Sequence, residues 1–250
     1  MIPNIHISNT ELEKMTKQTF GEGNESNTYI FEIDGEKKIV KIFRKSVDLP
    51  NKLKKINLIK ERLKKCDFVV KPEAILRCNG KFIGYIMPKI NGNVFDYINY
   101  SKEECLYILK DLSTKLKRLH KLGIVAADFH RNFIVDDNGN IKLIDCDNFA
   151  IDNLYVDSEN IYLKKYNESI KYFDERFDNY LLNLFTISCL VRIFCPFLYD
   201  QYKSKPFNIY SKDEEINKII FNTFNLHKQY NEDLIIDKIF SKNKIKLKKI

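Results

Sequence analysis

The sequence predicts an α+β fold, with strands concentrated in the front third and helices in most of the remainder. Three observations carry this. The runs GEGNESNTYIFEI and KKIVKIF flank Asp34-Gly35, and two further β-prone runs at 133–135 and 141–144 flank Asp137, Asn138, Gly139 and Asn140. Apolar runs around such turn formers read as hairpins. Residues 51–66 and 101–119 instead repeat apolar side chains at helical spacing.

Residues 1–15 give no strong signal. Gly21 and Gly23 then open the first run, with Ser26 and Thr28 following. Glycines there let backbone N–H groups approach an anion closely, although a simple turn also explains a lone G-x-G. Lys41 lies between Val40 and Ile42 on the next strand, and alternation points it away from both. In NKLKKINLIKERLKKC, Leu53, Ile56, Ile59 and Leu63 form the apolar stripe and Glu61 is the only acid. Glu61 either relieves lysine repulsion along the helix or pairs with Lys41. FVVKPEAIL and KFIGYIMPKI read as two more strands joined by Cys78-Asn79-Gly80, and MPKINGN as a connector. Pro88 lacks an N–H and offers only its carbonyl there, whereas Ile90 offers both groups.

Ser101-x-x-Glu104 is a capping box that opens a helix with Cys105, Ile108, Leu109, Leu112, Leu116 and Leu119 as its stripe and Gly123 at its end. His120 on that helix reads as a surface or capping histidine. The second hairpin follows, with Asp128 and Asn132 at one end of its first strand and Asp145 at the far end of its second. Antiparallel pairing would bring these ends together, so two carboxylates and an amide converge. Hard oxygen ligands of that kind suit a magnesium–phosphate site, and solvated turn acids are the plainer alternative. Beyond Phe149 come a polar span at about 150–177, an apolar helix NYLLNLFTISCLVRIF preceded by Asp178, short helices at 196–237, and a basic tail.

The 250 residues suit one two-lobed unit or two small domains, and 44% hydrophobic content supports a sizeable core. The formal charge of +8 favours anionic partners, but the 42 basic residues are scattered among 34 acidic ones. That scatter argues against a nucleic-acid partner, which needs a clustered basic face. Six cysteines without C-x-x-C spacing suggest neither zinc nor disulfides, and so a reduced, cytoplasmic setting. The N-terminus lacks a signal pattern, and Asn183, Arg192 and Pro196 interrupt the most apolar span, so no membrane partner is expected.

These motifs resemble the protein-kinase-like phosphotransferases, including the aminoglycoside-phosphotransferase type. In that family a glycine-rich loop precedes a strand with V-A-I-K, and an Asp, an Asn and the D-F-G Asp follow. Gly21, Gly23, Ser26 and Thr28 match the loop, Ile39-Val40-Lys41 the lysine strand, and Asp128, Asn132 and Asp145 the later positions. The sequence departs in having Ser26 for the third glycine, Ala126-Ala127 for His-Arg, four residues rather than five from Asp128 to Asn132, and Asp145-Cys146-Asp147 for D-F-G.

The resemblance implies a bilobal kinase-like fold. Its N-lobe would span 1–87, with a five-stranded antiparallel sheet and one helix, and a shortened, mainly helical C-lobe would span 88–250. It implies ATP and Mg²⁺ as cofactors and a protein or small-molecule hydroxyl as acceptor. Gly21, Gly23, Ser26, Lys41, Met87 (as gatekeeper), Pro88 and Ile90 would contact the nucleotide. Glu61 would hold Lys41, Asn132 and Asp145 would bind the metal, Asp128 would be the base, and His130 would sit near the γ-phosphate. By the same resemblance Asp178 would bond the catalytic-loop backbone, and Asp96 would reach a ribose hydroxyl or cap a helix. The expected activity is a protein serine/threonine kinase. A small-molecule kinase and a nucleotide-binding pseudokinase scaffold are the alternatives, and the residues do not specify an oligomeric state.

Overall fold

The computed structural model describes residues 2–129, 132–152, 174–191 and 234–243. In chain order the elements are β1 (Asn4–Ile7), α1 (Asn9–Met15), β2 (Thr19–Glu22), β3 (Ser26–Ile33), β4 (Glu36–Phe43), α2 (Leu49–Arg62), β5 (Ala74–Cys78), β6 (Lys81–Pro88) and β7 (Gly92–Val94). They continue with α3 (Lys102–His120), β8 (Ile124–Val125), β9 (Phe133–Asp136), β10 (Ile141–Leu143), β11 (Ala150–Ile151), α4 (Glu175–Val191) and α5 (Ile235–Asn243). The chain forms two compact units, Met1–Asn93 with Asn132–Glu159, and Val94–Arg131 with Asn160–Ile250.

The first unit is built on a six-stranded sheet of order β1-β5-β6-β4-β3-β2. The expectation of five antiparallel strands is corrected by β1, which joins the edge in parallel with β5, from Asn4 opposite Ile75 to Ile7 opposite Cys78. Four residues are too few to show a period in sequence, and their pairing depends on a strand some seventy residues away. The hairpin turns follow the sequence reading. Asp34-Gly35 and Asn79-Gly80 all have positive φ, as the primed turns between twisted strands require. Helix α2 starts two residues before the expected 51–66 span, because Asp48 caps it by accepting from the Asn51 amide at 3.1 Å and Pro50 fits the first turn.

Both faces of the sheet are covered. Val40, Tyr29, Leu76 and Ile86 pack with Met15 of α1. Ile39, Phe43, Tyr85 and Met87 pack on the other face with Ile56 of α2. The two central strands approach so closely that a Cβ on Gly84 would lie 1.9 Å from the Lys41 carbonyl oxygen. Neither backbone can yield without breaking the β4–β6 ladder, so Gly84→Ala is expected to lower stability by about 3 kcal/mol, the upper end for overpacking. Chemical denaturation tests this, and an unchanged midpoint would refute it.

The β9–β10 hairpin is stitched to the segment before β5. The Val70 amide donates to the Leu143 carbonyl at 2.8 Å, and the Leu143 amide to the Phe68 carbonyl at 2.7 Å. This attachment places the 3₁₀ turn Cys146–Asn148, just after β10, against α2.

In the second unit the Ser101–Glu104 capping box forms as expected, and the whole predicted stripe of α3 is buried. Helix α4 begins at Glu175, ahead of the expected start, so Asp178 falls in its first turn. Asn183 of α4 accepts from the Ile235 amide at 2.9 Å, and Asp237 of α5 accepts from Lys110 at 2.6 Å, which ties the three helices together. His130, most of the polar span at 150–177, most of the short helices at 196–237 and much of the tail lie outside the described residues.

Candidate functional site

Alternation on β4 sets the site in the first unit. Lys41 shares a face with Ile39 and Phe43, opposite to Val40, and pairs in register with Tyr85 of β6. Its side chain is 3% exposed. A buried ammonium needs acceptors, and the turn after β10 supplies them. Lys41 Nζ bonds Asp145 Oδ1, and it donates to Asp147 Oδ1 at 2.8 Å. The rings of Phe43 and Tyr85 flank it at 5.6 and 5.8 Å to their centroids.

The cluster extends further. Tyr85 donates its hydroxyl to Asp147 Oδ1 at 2.6 Å. Lys52, from the first half of α2, donates to Asn148 Oδ1 at 2.6 Å, to Glu25 at 2.7 Å and to Asp147 Oδ2 at 3.3 Å. Asn148 in turn donates to Asp145 Oδ2 at 3.0 Å. Glu25 lies in the β2–β3 turn, which the Gly23 amide closes onto the Ser26 carbonyl at 2.9 Å. Gly21 is packed so that a Cβ would meet Thr28 Oγ1 at 2.9 Å.

Two lysines face three carboxylates here, so one negative charge is in excess, and the protonation tendencies divide accordingly. Burial pushes the Asp145 carboxyl up, and Lys41 offsets only part of that. Burial likewise raises Glu25 against the pull of Lys52. Burial would also raise Asp147, but the ammonium groups of Lys41 and Lys52 outweigh it and hold that carboxyl well below the usual range. Burial would lower Lys41, yet Asp145 and Asp147 hold its ammonium above the ordinary lysine value. Cys146 between the two acids is buried, and that burial raises its thiol far above the usual value, so it is no nucleophile.

The donor set can be tested against a divalent cation with phosphates. The Asn132 carbonyl accepts from the Ile144 amide at 2.9 Å, which puts Asn132 beside the residue preceding Asp145. Asp145 is 25% exposed and hard in its donors, and Mg²⁺ is usually held by one or two carboxylates plus phosphate oxygens. These residues fit that pattern. Among the described residues no group of three or more His, Cys, Asp or Glu could hold a metal ion by itself.

In the second unit Asp178 is fully buried and organises the turn ahead of Asp128. Its Oδ2 accepts from the Ala126 amide at 2.9 Å and its Oδ1 from the Ala127 amide at 2.8 Å. His120, expected as a surface or capping histidine, is packed with its Nε2 2.8 Å from Asp178 Oδ2 and its side chain 7% exposed. Ala127 has φ 56°, and the Asp128 amide donates to the Ala126 carbonyl at 2.6 Å. Such a tight three-residue turn is strained and persists only where the surroundings impose it. Asp178→Asn would set an amide N–H against a backbone N–H. A loss of about 2–3 kcal/mol is expected by thermal or chemical unfolding, and an unchanged stability would show that Asp178 does not hold the turn.

No protein-family profile matches this chain. Over 100 aligned residues it is 29% identical to the protein kinase YegI of Escherichia coli O157:H7 and to that of Escherichia coli strain K12. The alignment covers 34% of this chain and 16% and 15% of those proteins. The chain thus spans about a sixth of the length of the curated relatives it matches, and the similarity is distant and partial.

The structure brings together Lys41, Asp145 and, through the β9–β10 pairing, Asn132. Gly21 lies on β2 opposite Thr28, Gly23 and Ser26 close the turn that follows it, Met87 is buried opposite Ile39, Pro88 ends β6, and Ile90 packs on the Lys41 face. Asp96 caps the turn Tyr97–Asn99 by accepting from the Ile98 amide at 3.1 Å. One expected pairing is corrected. Glu61 is exposed near the end of α2, and the partners of Lys41 are Asp145 and Asp147. The helix turns its lysine-bearing first half, not Glu61, toward this cluster. Sequence reasoning also missed Asp147, Lys52, Tyr85 and Glu25. The D-x-D spacing at 145–147 was the one available signal, because Lys52 is one of several lysines on its helix.

Proposed function

We propose that this chain is an ATP- and Mg²⁺-dependent phosphotransferase, and specifically a protein serine/threonine kinase. The observation that carries the reading is the ion pair between Lys41 and Asp145, two side chains 104 residues apart in sequence. The distant similarity to a protein kinase supports it independently. Lys41 would offer its ammonium to phosphate oxygens, and the backbone around Gly21 and Gly23 would approach the same anion. Asp145 and Asn132 would hold the metal, which supplies charge neutralisation of the phosphates. Asp128 would orient the acceptor hydroxyl and take its proton, with the preceding backbone fixed by Asp178. Met87, Pro88 and Ile90 would line the base. By the resemblance, His130 would lie near the transferred group. The long segment between Asp145 and Asp178 favours a peptide acceptor, and six cysteines without C-x-x-C spacing favour a reduced, cytoplasmic setting. Among the described residues no helix is long and apolar enough to cross a membrane.

A nucleotide-binding scaffold is the second reading, favoured by the four-residue spacing from Asp128 to Asn132 and by Ser26 in place of the third glycine. A small-molecule kinase differs from the favoured reading only in its acceptor. Incubation with Mg-ATP and generic protein substrates, beside Asp128→Asn, separates them. Substrate labelling by the wild type alone, with a nucleotide-induced thermal shift in both proteins, is the expected outcome. A thermal shift without protein labelling points to the scaffold or to a small-molecule acceptor, which ATP turnover with small hydroxyl acceptors then separates, and the absence of both signals refutes the proposal.

A further inference from the structure

Two carboxylates separated by one residue meet the same ammonium group, and they differ in burial. Asp145 keeps 25% of its side chain in solvent, whereas Asp147 has none exposed. We propose that Asp147 is the positioning residue for Lys41, taking the place of an acid on helix α2, and that Tyr85 and Lys52 lock it there. The proposal rests on the phosphotransferase reading and adds a residue to it.

The bonding pattern carries the assignment. Both oxygens of Asp147 are committed, Oδ1 to Lys41 at 2.8 Å and Tyr85 at 2.6 Å, and Oδ2 to Lys52 at 3.3 Å. A carboxylate so enclosed cannot turn to a ligand. Asp145 can, because part of it faces solvent and its remaining contacts are to Lys41 and Asn148. When Asp145 gives its oxygens to a divalent cation, Lys41 still needs an anion to keep its place on β4. Asp147 is that anion, and its position on the turn following Asp145 makes one short segment set both roles. Helix α2 therefore contributes a cation, Lys52, and not an acid. Lys52 also grips Glu25 at 2.7 Å, so the same network reaches the β2–β3 turn that carries Gly23. A site that holds Lys41 by a glutamate from α2 would show Glu61 buried and bonded to it; Glu61 is exposed.

The test uses the full chain and two readouts besides turnover. One is affinity for a fluorescent ATP analogue. The other is the pH profile with which an acyl-phosphate derivative of ATP acylates Lys41, read by mass spectrometry. Asp147→Asn is expected to weaken nucleotide binding about tenfold. It should also move the acylation midpoint to lower pH, because an anion beside the ammonium has gone. Asp147→Glu should recover part of both. Tyr85→Phe, which removes one hydroxyl and keeps the ring, should weaken binding about threefold. Glu61→Gln should change neither readout. If Asp147→Asn does not fold, Tyr85→Phe and Glu61→Gln still decide. Loss of binding in Glu61→Gln, or wild-type behaviour in Asp147→Asn and Tyr85→Phe, overturns the role of Asp147 while leaving the phosphotransferase reading intact. A wild-type protein that neither binds the analogue nor is acylated overturns both.

Discussion

Lys41→Met is expected to lower stability by about 3–5 kcal/mol and to remove nucleotide binding altogether. The stability loss follows from what methionine would leave behind. Asp147 is completely buried and Asp145 three-quarters so, and Lys41 touches both. Removing one partner of a buried ion pair strands the other charge, which is why the loss exceeds that of a surface pair several-fold. Lys52 and Tyr85 remain on Asp147, so its carboxylate keeps partners, and Asp145 is expected to take up a proton. Chemical denaturation and titration with a fluorescent nucleotide check the two effects. A variant with wild-type midpoint and affinity would remove Lys41 from the site.

The same cluster fixes the pH dependence. The folded Lys41 pKa lies above its unfolded value, so its contribution is fully present below the ordinary lysine value of about 10.4 and is lost as pH rises through the folded value. Asp147 is depressed, so its contribution is present above the ordinary carboxylate value and is lost only as pH falls through a much lower one. Asp145 and Glu25 are raised, and their burial favours the folded state only where they are protonated; that term fades as pH rises through their folded values. An alkaline loss of stability is thus expected in the wild type, and Lys41→Met should remove only the share of Lys41, because the buried Tyr85 hydroxyl and Cys146 thiol are raised as well and keep theirs.

Much of this arrangement was legible because it rests on local chemistry. Asp34-Gly35 and Asn79-Gly80 force primed turns, Ser101 and Glu104 cap α3, and the period of two on β4 already turned Lys41 away from Val40. Asp145 followed from the same logic, since Ile141 and Leu143 set the strand that ends just before it. What escaped is non-local. Strand β1 exists only because β5 offers an edge. Glu61 looked like the partner of Lys41 because its helix follows the lysine strand as in the resembled family, but which side of a helix faces a sheet is decided by packing, here of Ile56 and Ile59. Asp147 was read only as a departure from a tripeptide, and spacing could not show that it would be fully buried on two lysines.

Asp128→Asn is expected to reduce turnover by about 10²–10⁴-fold while leaving nucleotide affinity and stability near wild type. The substitution keeps the shape of the side chain and removes only the charge that would accept the proton of a hydroxyl. Asp128 is half-buried, follows the strained residue Ala127, and closes its turn through a backbone bond that asparagine retains. The restraint on that turn comes from Asp178, through the amides of Ala126 and Ala127. The two aspartates should therefore separate cleanly. Asp178→Asn should lose stability together with activity, because a buried acceptor of two backbone amides is gone. Asp128→Asn should lose activity alone. Steady-state phosphorylation rates beside denaturation midpoints for both variants make the comparison, and a large stability loss in Asp128→Asn would reassign that carboxylate from proton acceptor to structural tie.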